Sequence, residues 1–335
     1  MKLVIQIPCF NEAHTLGAVL QGIPRTIDGI SSIEIQVIDD GSTDETVRVA
    51  KELGVHHLVH IPGRNRRWLG RAFKVGIDHA LREGADIVVN TDGDNQYPSH
   101  KIPDLVRPIV DGYVDIVIGD RSPGRYREFT RRKRLLQRLG NMTIDYLTGE
   151  RTRDAVSGFR AYSREALLRI HVMTNFTYTV DTLIQAYKKG LDIAWINITP
   201  NPKTRESRLI TSLSDKVRRS GLTILRLITV YEPFKTFLFF SFLFFLPGAV
   251  LLARFLFFYF FVPGEASGHI QSVVIGSILL VLATQMFALG IVADLLSVNR
   301  GLVEDVLTRI RRRESNEQKY RSQDEEKVLR LHSTG

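Results

Sequence analysis

In the stretch ADIVVNTDGDNQYP (85–98), an apolar run leads directly into a pair of carboxylates. The run at 87–89 predicts a buried strand. Asp92 and Asp94 follow it with one glycine between them, and the amide of Gln96 comes two residues later. Asp is common in turns because its side chain hydrogen-bonds nearby backbone. Oxygen ligands grouped at a strand end also suit Mg²⁺ or Mn²⁺, which favours a metal site.

The same pattern recurs three more times in the first 212 residues. The runs LVIQI (3–7), EIQVID (34–39) and DIVIGD (115–120) are short and apolar, and helical patterns separate them. Apolar strands that alternate with helices predict an α/β fold with a mostly parallel, Rossmann-like sheet. The ligands of such sheets lie beyond the carboxyl ends of the strands. The polar residues that end or follow these three runs are Asn11, Glu12, Asp39, Asp40, Asp120 and Arg121.

The composition limits the classes of possible partner but does not identify one. The chain has 335 residues, enough for one large domain or two smaller ones. Its formal net charge of +9 suits a nucleic acid, an anionic membrane face or a phosphorylated ligand. Cys9 is the single cysteine, so an internal disulfide is impossible and a reducing cytosolic environment fits. The apolar run before Pro8 is too short for a signal peptide.

Two long apolar stretches predict an integral membrane protein. Residues 237–262 contain one charge, Arg254, and residues 270–296 contain one, Asp294. Each exceeds the roughly 20 residues that cross a hydrocarbon core, which predicts two transmembrane helices within 236–298. The connecting loop has no Lys or Arg, whereas both flanks are basic. The positive-inside rule therefore predicts that both termini and the N-terminal domain are cytosolic.

The membrane stretches divide the chain into four predicted regions. Residues 1–212 form the α/β domain, and residues 213–235 mix apolar and basic side chains at helical spacing. That mixture, just before a membrane span, predicts amphipathic juxtamembrane helices. Residues 236–298 hold the two spans, and residues 299–335 form a charged cytosolic tail. Packing between the Phe-rich spans of two protomers is compatible with a homo-oligomer.

A basic loop follows the fourth apolar run. RSPGRYREFTRRKRLLQRL (121–139) holds eight basic residues and one acid. No recognised nucleic-acid module accompanies it, so we predict no nucleic-acid partner. Near a membrane such charge suits anionic lipid headgroups or the phosphate of a lipid acceptor. The residues predicted to bind an acceptor phosphate are Arg121, Arg131, Arg132, Lys133, Arg205 and Arg208.

Five motifs in order carry a resemblance to a known family. They are IPCFNE (7–12), VIDDGSTDET (37–46), NTDGDNQYP (90–98), IGDR (118–121) and DAVSGFRAYSREAL (154–167). The series resembles family 2 glycosyltransferases with the GT-A fold, and within them the polyprenyl-phosphate, dolichyl-phosphate mannose synthase-like branch. The resemblance implies inverting, metal-dependent transfer of a sugar from a UDP- or GDP-linked donor to dolichyl or undecaprenyl phosphate. The reaction would take place on the cytosolic membrane face.

The resemblance also implies roles for individual residues. Metal ligation falls to Asp94 and Gln96, with Mg²⁺ or Mn²⁺ as the cofactor. The residues implied to be catalytic are Asp92, Asp94, Arg121 and Asp181. The residues implied to bind the nucleotide-sugar are Pro8, Asn11, Glu12, Asp39, Asp40, Asp92 and Gly158.

Two departures from the family pattern bear on the sugar and the acceptor. Asp181 stands where the family often has Glu, and it is one methylene shorter. Arg205-Glu206-Ser207-Arg208 stands where many mannose synthases have Gly-x-Ser-Lys. Arg208 keeps the positive charge and offers a bidentate fork, so the change weakens the case for mannose but not for a phosphate acceptor.

Three other functions are weighed against this one. Processive polysaccharide synthases share the domain but carry a Gln-x-x-Arg-Trp motif and a longer membrane channel, and neither occurs here. A glycosyltransferase that acts on another membrane lipid remains open. A non-enzymatic membrane scaffold is disfavoured by the presence of Asp92, Asp94, Gln96 and Arg121 together.

Overall fold

The computed structural model places a seven-stranded sheet at the centre of the N-terminal part of the chain. The residues that the structure describes are 1–61, 69–121, 142, 144–172, 178–202, 226, 228–262 and 270–333. The strands are β1 (Lys2–Cys9), β2 (Ser32–Asp39), β3 (His57–His60), β4 (Ile87–Asn90), β5 (Ile116–Asp120), β6 (Arg160–Ser163) and β7 (Ile193–Asn197). Their order across the sheet is β3-β2-β1-β4-β6-β5-β7.

Helices connect the strands and cover the sheet. They are α1 (Ala13–Gln21), α2 (Thr46–Glu52), α3 (Leu69–Arg82), α4 (Ile102–Val110), α5 (Arg164–Arg169) and α6 (Thr179–Lys188). A 3-10 turn, Ser99–Lys101, precedes α4. Each of the longer helices turns one apolar face inward, and in α3 that face includes the buried residues Phe73, Ile77 and Leu81.

The predicted α/β fold is confirmed, and its sheet is mostly parallel. Strand β1 pairs in parallel with β2 and β4, β2 with β3, and β5 with β7. The exception is β6, which runs antiparallel to both β4 and β5. The four strands predicted from apolar runs are β1, β2, β4 and β5. The inner residues of β1, β4 and β5 and the second half of β2 are buried, as expected for strands covered on both faces.

The C-terminal region contains two further helices, α7 (Pro233–Phe261) and α8 (Ile270–Ser333). Helix α7 and the part of α8 from Ile270 to Glu314 are long and apolar enough to cross a membrane. They pack as a pair at small residues. A Cβ on Gly248 would lie 3.1 Å from the Gly276 carbonyl oxygen, and a Cβ on Gly276 would lie 3.1 Å from that of Gly248. Such glycine contacts let membrane helices approach closely.

The chain divides into two compact units, one of Met1–Leu213 with Glu304–Gly335 and the other of Ser214–Val303. In the first unit the continuation of α8 is held by polar contacts. Glu304 pairs with Lys189 at 2.8 Å, and Arg311 pairs with Asp78 of α3 at 2.8 Å. The predicted division at 212, 235 and 298 stays a prediction.

Candidate active site

The loops after β1, β2 and β4 meet at the carboxyl edge of the sheet. Asn11 donates its backbone N–H to Ser42 Oγ at 3.0 Å, and its side-chain oxygen accepts from the Thr43 N–H at 2.7 Å. The Glu12 N–H donates to Thr46 Oγ1 at 2.8 Å. These bonds join the loop after β1 to the loop after β2, so the structure brings together the residues predicted to bind a nucleotide.

The adjacent carboxylates Asp39 and Asp40 have different surroundings. Asp39 is buried, and its two oxygens accept from the Ser42 N–H at 2.9 Å and face His60 Nδ1 at 2.7 Å. Asp40 is partly exposed, and its N–H donates to the Cys9 carbonyl at 3.0 Å. Asp39 therefore shapes the loop, which makes Asp40 the better candidate for contact with a ligand.

Asp94 and Gln96 face each other within one turn. Asp94 Oδ1 accepts from the Gln96 N–H at 3.1 Å, and Oδ2 accepts from Gln96 Nε2 at 2.7 Å. Asn95 between them has φ of 58°, in the left-handed region that Asn tolerates. Asn201, which follows β7, donates its backbone N–H to the Gln96 carbonyl at 2.9 Å and fixes the turn from outside. The role of Asn201 was not predicted from the sequence.

This turn is chemically suited to a hard divalent cation. A carboxylate and a side-chain amide oxygen are the ligands that Mg²⁺ and Mn²⁺ take in proteins. Because Gln96 uses its Nε2 toward Asp94, its amide oxygen stays available as an acceptor on the same turn. Both side chains are only partly buried, so substrate oxygens and water can reach the remaining coordination positions. The donor set at Asp94 and Gln96 fits the predicted metal.

The surroundings of Asp92 disfavour its ionised form. Burial and repulsion by Asp94 raise the pKa of Asp92 to about 7, while the Arg121 guanidinium opposes the rise. Like-charged carboxylates disfavour each other's ionisation, and a nearby positive charge relieves that cost. Asp92 and Asp94 together would therefore stabilise an added positive charge.

Gly93 is required because the Asp-Gly-Asp turn packs against the end of β1. A Cβ on Gly93 would lie 2.9 Å from Cys9 Sγ and 3.2 Å from Glu12 Cγ. Thr15 Oγ1 also donates to the Gly93 carbonyl at 2.7 Å. A side chain at this position would push Asp92 and Asp94 away from the loop after β1.

Replacing Gly93 with alanine should lower sugar transfer about 10- to 100-fold and destabilise the protein by about 1–3 kcal/mol, because the new methyl overpacks a filled site. The double variant Gly93→Ala/Cys9→Ala removes the closest clashing atom and should recover part of both losses. Turnover and melting temperature of the two variants test this. Gly17→Ala is the control, since its Cβ would meet only a Leu53 methyl at 3.8 Å. A double variant no better than Gly93→Ala would show that the Cys9 contact is not the cause.

Arg121 is held by Asp154, for which no role was predicted. Its Nε and Nη2 donate to the two oxygens of buried Asp154 at 2.7 and 3.0 Å. The guanidinium also lies 5.9 Å from the Tyr97 ring centroid. The bidentate pair uses two of its five N–H donors, which leaves donors for a phosphate. Asp154 opens the quoted motif DAVSGFRAYSREAL, and that was its one sequence signal.

The backbone of Gly158 is clamped beside Asp92. Its N–H donates to the Tyr97 hydroxyl at 2.8 Å, and its carbonyl accepts from Asn90 Nδ2 at 3.0 Å and the Tyr178 hydroxyl at 3.2 Å. A Cβ on Gly158 would lie 3.4 and 3.5 Å from the two Asp92 oxygens. The loop at 155–158 therefore borders Asp92, where the resemblance places the sugar.

Asp181 lies in the first turn of α6 and is buried. Its Oδ1 accepts from Gln185 Nε2 at 3.1 Å, and Gln185 also binds the backbone N–H and carbonyl of His171. These contacts show Asp181 supporting α6, and its predicted catalytic role stays a prediction. Pro8 lies in β1 opposite Ile38 of β2, beyond the last residue that β1 pairs with β4. The predicted acceptor residues Arg131, Arg132, Lys133, Arg205 and Arg208 lie outside the described residues.

The N-terminal unit is similar to known sugar transferases. Residues 4–170 match the family Glycosyl transferase family 2. A dolichyl-phosphate hexose transferase of Haloferax volcanii is 30% identical over 212 residues, which are 62% of this chain and 86% of that protein. A polyprenol monophosphomannose synthase of Mycolicibacterium smegmatis is 28% identical over 207 residues, covering 59% of this chain and 77% of that protein. This chain belongs to glycosyl transferase family 2 and is a glycosyltransferase.

A solved structure shares the fold. Glucosyl-3-phosphoglycerate synthase from Mycobacterium tuberculosis, in complex with Mn²⁺, UDP and glucosyl-3-phosphoglycerate, is 25% identical with a TM-score of 0.51. The match covers 67% of this chain and 79% of that one. The predicted family and GT-A-type fold are confirmed.

Proposed function

We propose that this protein transfers a sugar from a UDP- or GDP-linked donor to a polyprenyl phosphate, with inversion at the anomeric carbon. The observation that carries the proposal is the meeting of Asp92, Asp94 and Gln96 with the loops after β1 and β2, in a chain that also has two apolar helices. The two curated relatives described above are named for sugar transfer involving dolichyl phosphate or polyprenol, which supports the same acceptor class.

The donor would lie across the carboxyl edge of the sheet. Asp40 and the loop residues Asn11 and Glu12 would contact the base and ribose, and Asp92 with Gly158 would border the sugar. Asp94 and Gln96 would hold Mg²⁺ or Mn²⁺. Bound there, the cation would supply Lewis-acid stabilisation of the departing diphosphate. The structural neighbour described above contains Mn²⁺ with UDP, which supports this arrangement.

The acceptor phosphate would be bound by arginine. Its second pKa is about 6, so it is largely dianionic at neutral pH and needs no strong general base. Arg121, oriented by Asp154, would hold that phosphate for in-line attack on the anomeric carbon. Arg131, Arg132, Lys133, Arg205 and Arg208 would extend the same anion site.

The predicted topology is part of the proposal. The two apolar helices would anchor the enzyme with its catalytic unit and both termini in the cytosol. Single cysteines placed in the 263–269 loop and near residue 330, in a Cys9→Ala background, test it in sealed right-side-out vesicles. A membrane-impermeant thiol reagent should label the loop position from the outside and the terminal position after lysis. The reverse pattern would overturn the topology.

The activity itself is tested with a panel of labelled UDP- and GDP-sugars, Mn²⁺ and a short polyprenyl phosphate. We expect one donor to give a lipid product with a single phosphate, and NMR of that product should show the inverted anomer. A polymer would favour a polysaccharide synthase, and transfer to another lipid would favour the second alternative. Failure to bind any nucleoside diphosphate in Mn²⁺ would favour a non-enzymatic scaffold.

A further inference from the structure

Three side chains at the amino-terminal end of β3 form a cluster outside the catalytic edge. His57 begins β3, His79 lies in the last turn of α3, and Glu83 follows that helix. One ligand atom from each lies within 4.8 Å of the other two. The opposite end of β3, where His60 faces Asp39, is about 10 Å away by strand rise. The cluster is therefore separate from the predicted nucleotide site.

Hydrogen bonds fix which nitrogen of each ring is left as an acceptor. His79 Nδ1 lies 2.6 Å from Gln36 Oε1, and Gln36 donates its own Nε2 to the Gly76 carbonyl. The Gln36 oxygen must then accept, so Nδ1 carries the proton and Nε2 of His79 keeps a lone pair. His57 Nε2 lies 2.7 Å from a Glu34 carboxylate oxygen in the same way, which leaves Nδ1 of neutral His57 as its acceptor. A carboxylate or carbonyl behind a histidine is the usual support of a metal ligand.

The spacing of the rings also suits a shared ion. The centroids of His57 and His79 are 5.0 Å apart, with the rings inclined at 65°. Two imidazoles bound to one tetrahedral zinc through bonds of about 2.1 Å place their centroids about 5 Å apart. Glu83 Oε1 lies 3.9 Å from His79 Nε2, and its side chain is 40% exposed, so a small rotation brings it to a ligand position.

A charged pair lies behind the cluster. Glu34, behind His57, is paired with Lys2 at 2.8 Å, which holds its carboxylate in place. Neutral imidazoles and an ionised carboxylate are the forms that bind a cation.

We propose that His57, His79 and Glu83 bind a first-row divalent cation with tetrahedral preference, such as Zn²⁺, with water as the fourth ligand. The bound ion ties the end of α3 to the edge formed by β2 and β3. Helix α3 carries Phe73, whose ring stacks on Tyr178 at 4.0 Å, and Tyr178 bonds the Gly158 carbonyl beside Asp92. The bound ion would therefore stabilise α3, which supports the 155–158 loop beside Asp92.

The test uses the full chain in detergent, stripped with chelator and then loaded with Zn²⁺ in excess Mg²⁺, which competes at the catalytic carboxylates. Metal content after gel filtration should be one zinc per chain for the wild type and for Asp94→Ala. His57→Gln and His79→Gln should each weaken zinc binding at least 100-fold. Zinc should raise the melting temperature of the wild type and of Asp94→Ala but not of His57→Gln or His79→Gln, and Co²⁺ should give the visible absorption of a tetrahedral site.

His56→Gln is the matched control, because His56 is adjacent but uses its Nδ1 to accept the Ile35 N–H. It should bind zinc as the wild type does. Equal zinc content in the wild type, His57→Gln and His79→Gln would place the ion elsewhere and overturn the proposal. A wild type that retains no zinc would show that the cluster is a hydrogen-bonded ring contact alone.

Discussion

Replacement of Asp94 with alanine should reduce sugar transfer about 1000-fold, equivalent to about 4 kcal/mol of transition-state stabilisation. Asp94 is the charged member of the pair that fits Mg²⁺ or Mn²⁺, and Gln96 alone is a neutral ligand. The variant should also lose the ability of Mn²⁺ to strengthen UDP or GDP binding. Calorimetric titration of the nucleotide with and without Mn²⁺ measures that coupling directly.

The melting temperature of Asp94→Ala should not fall along with its activity. Asp94 raises the pKa of Asp92 by repulsion, so its removal relieves an unfavourable pair of like charges. We therefore expect the melting temperature of Asp94→Ala to stay equal or rise slightly while activity is lost. A residue that costs stability and is needed for turnover is typical of an active site.

Two further variants sharpen the result. Gln96→Glu supplies a second carboxylate, and because ligand charge sets cation affinity, it should bind Mn²⁺ more tightly. It should keep transfer within about 10-fold of the wild type. Asp104→Ala is the control, since Asp104 is a surface residue of α4 that pairs with Lys101 at 2.7 Å. Asp94→Ala with unchanged Mn²⁺-dependent nucleotide binding would show that the metal is held elsewhere.

The parts of the fold that could be predicted are those with a local signal. β1, β2, β4 and β5 are apolar runs that end in polar residues, and the structure confirms each as a strand. β6 was not predicted, because its four residues begin with Arg160, and a charged residue argues against a buried strand. Arg160 is only 1% exposed, and its acceptors lie both in the preceding loop and in α6, 19 and 22 residues further along the chain.

The candidate site also contains residues with a local sequence signal and residues that only long-range packing places. Asp92, Asp94 and Gln96 could be named because they follow one strand in sequence. Asp154, which fixes Arg121, could not be assigned, because their partnership spans 33 residues. The need for glycine at 93 depends on Cys9, which approaches it only in the folded sheet. Local patterns identified which residues carry charge, and long-range packing decides how each is held.

Replacement of Arg160 with methionine should destabilise the N-terminal unit by about 3–5 kcal/mol. Arg160 donates to the carbonyls of Ser157 at 2.7 Å, Ala155 at 2.8 Å and Thr179 at 2.8 Å. It also donates to Thr182 Oγ1 at 3.0 Å. Methionine fills similar space but leaves the Ser157 and Ala155 carbonyls without this donor, whereas the Thr179 carbonyl keeps the Thr182 hydroxyl at 3.2 Å. Each orphaned acceptor costs about 1–3 kcal/mol before the loop relaxes.

The loss should appear as a fall of about 10 °C in the melting temperature. Arg82→Met is the control, because exposed Arg82 donates to one carbonyl of its own helix and should change stability by less than about 0.5 kcal/mol. Arg160→Lys keeps the charge but lacks the planar fork that reaches several carbonyls at once. It should recover less than half of the loss.

Activity measured on the same variants separates two roles for Arg160. The resemblance implies that Gly158, two residues before Arg160, binds the nucleotide-sugar, whereas the structure shows the Arg160 guanidinium joining the 155–157 loop to α6. If its role is structural, Arg160→Met should lose transfer in proportion to its unfolding, and cooling should restore turnover. Lost turnover at an unchanged melting temperature would instead mean that Arg160 contacts the substrate and that its contacts with the backbone carbonyls contribute little to stability.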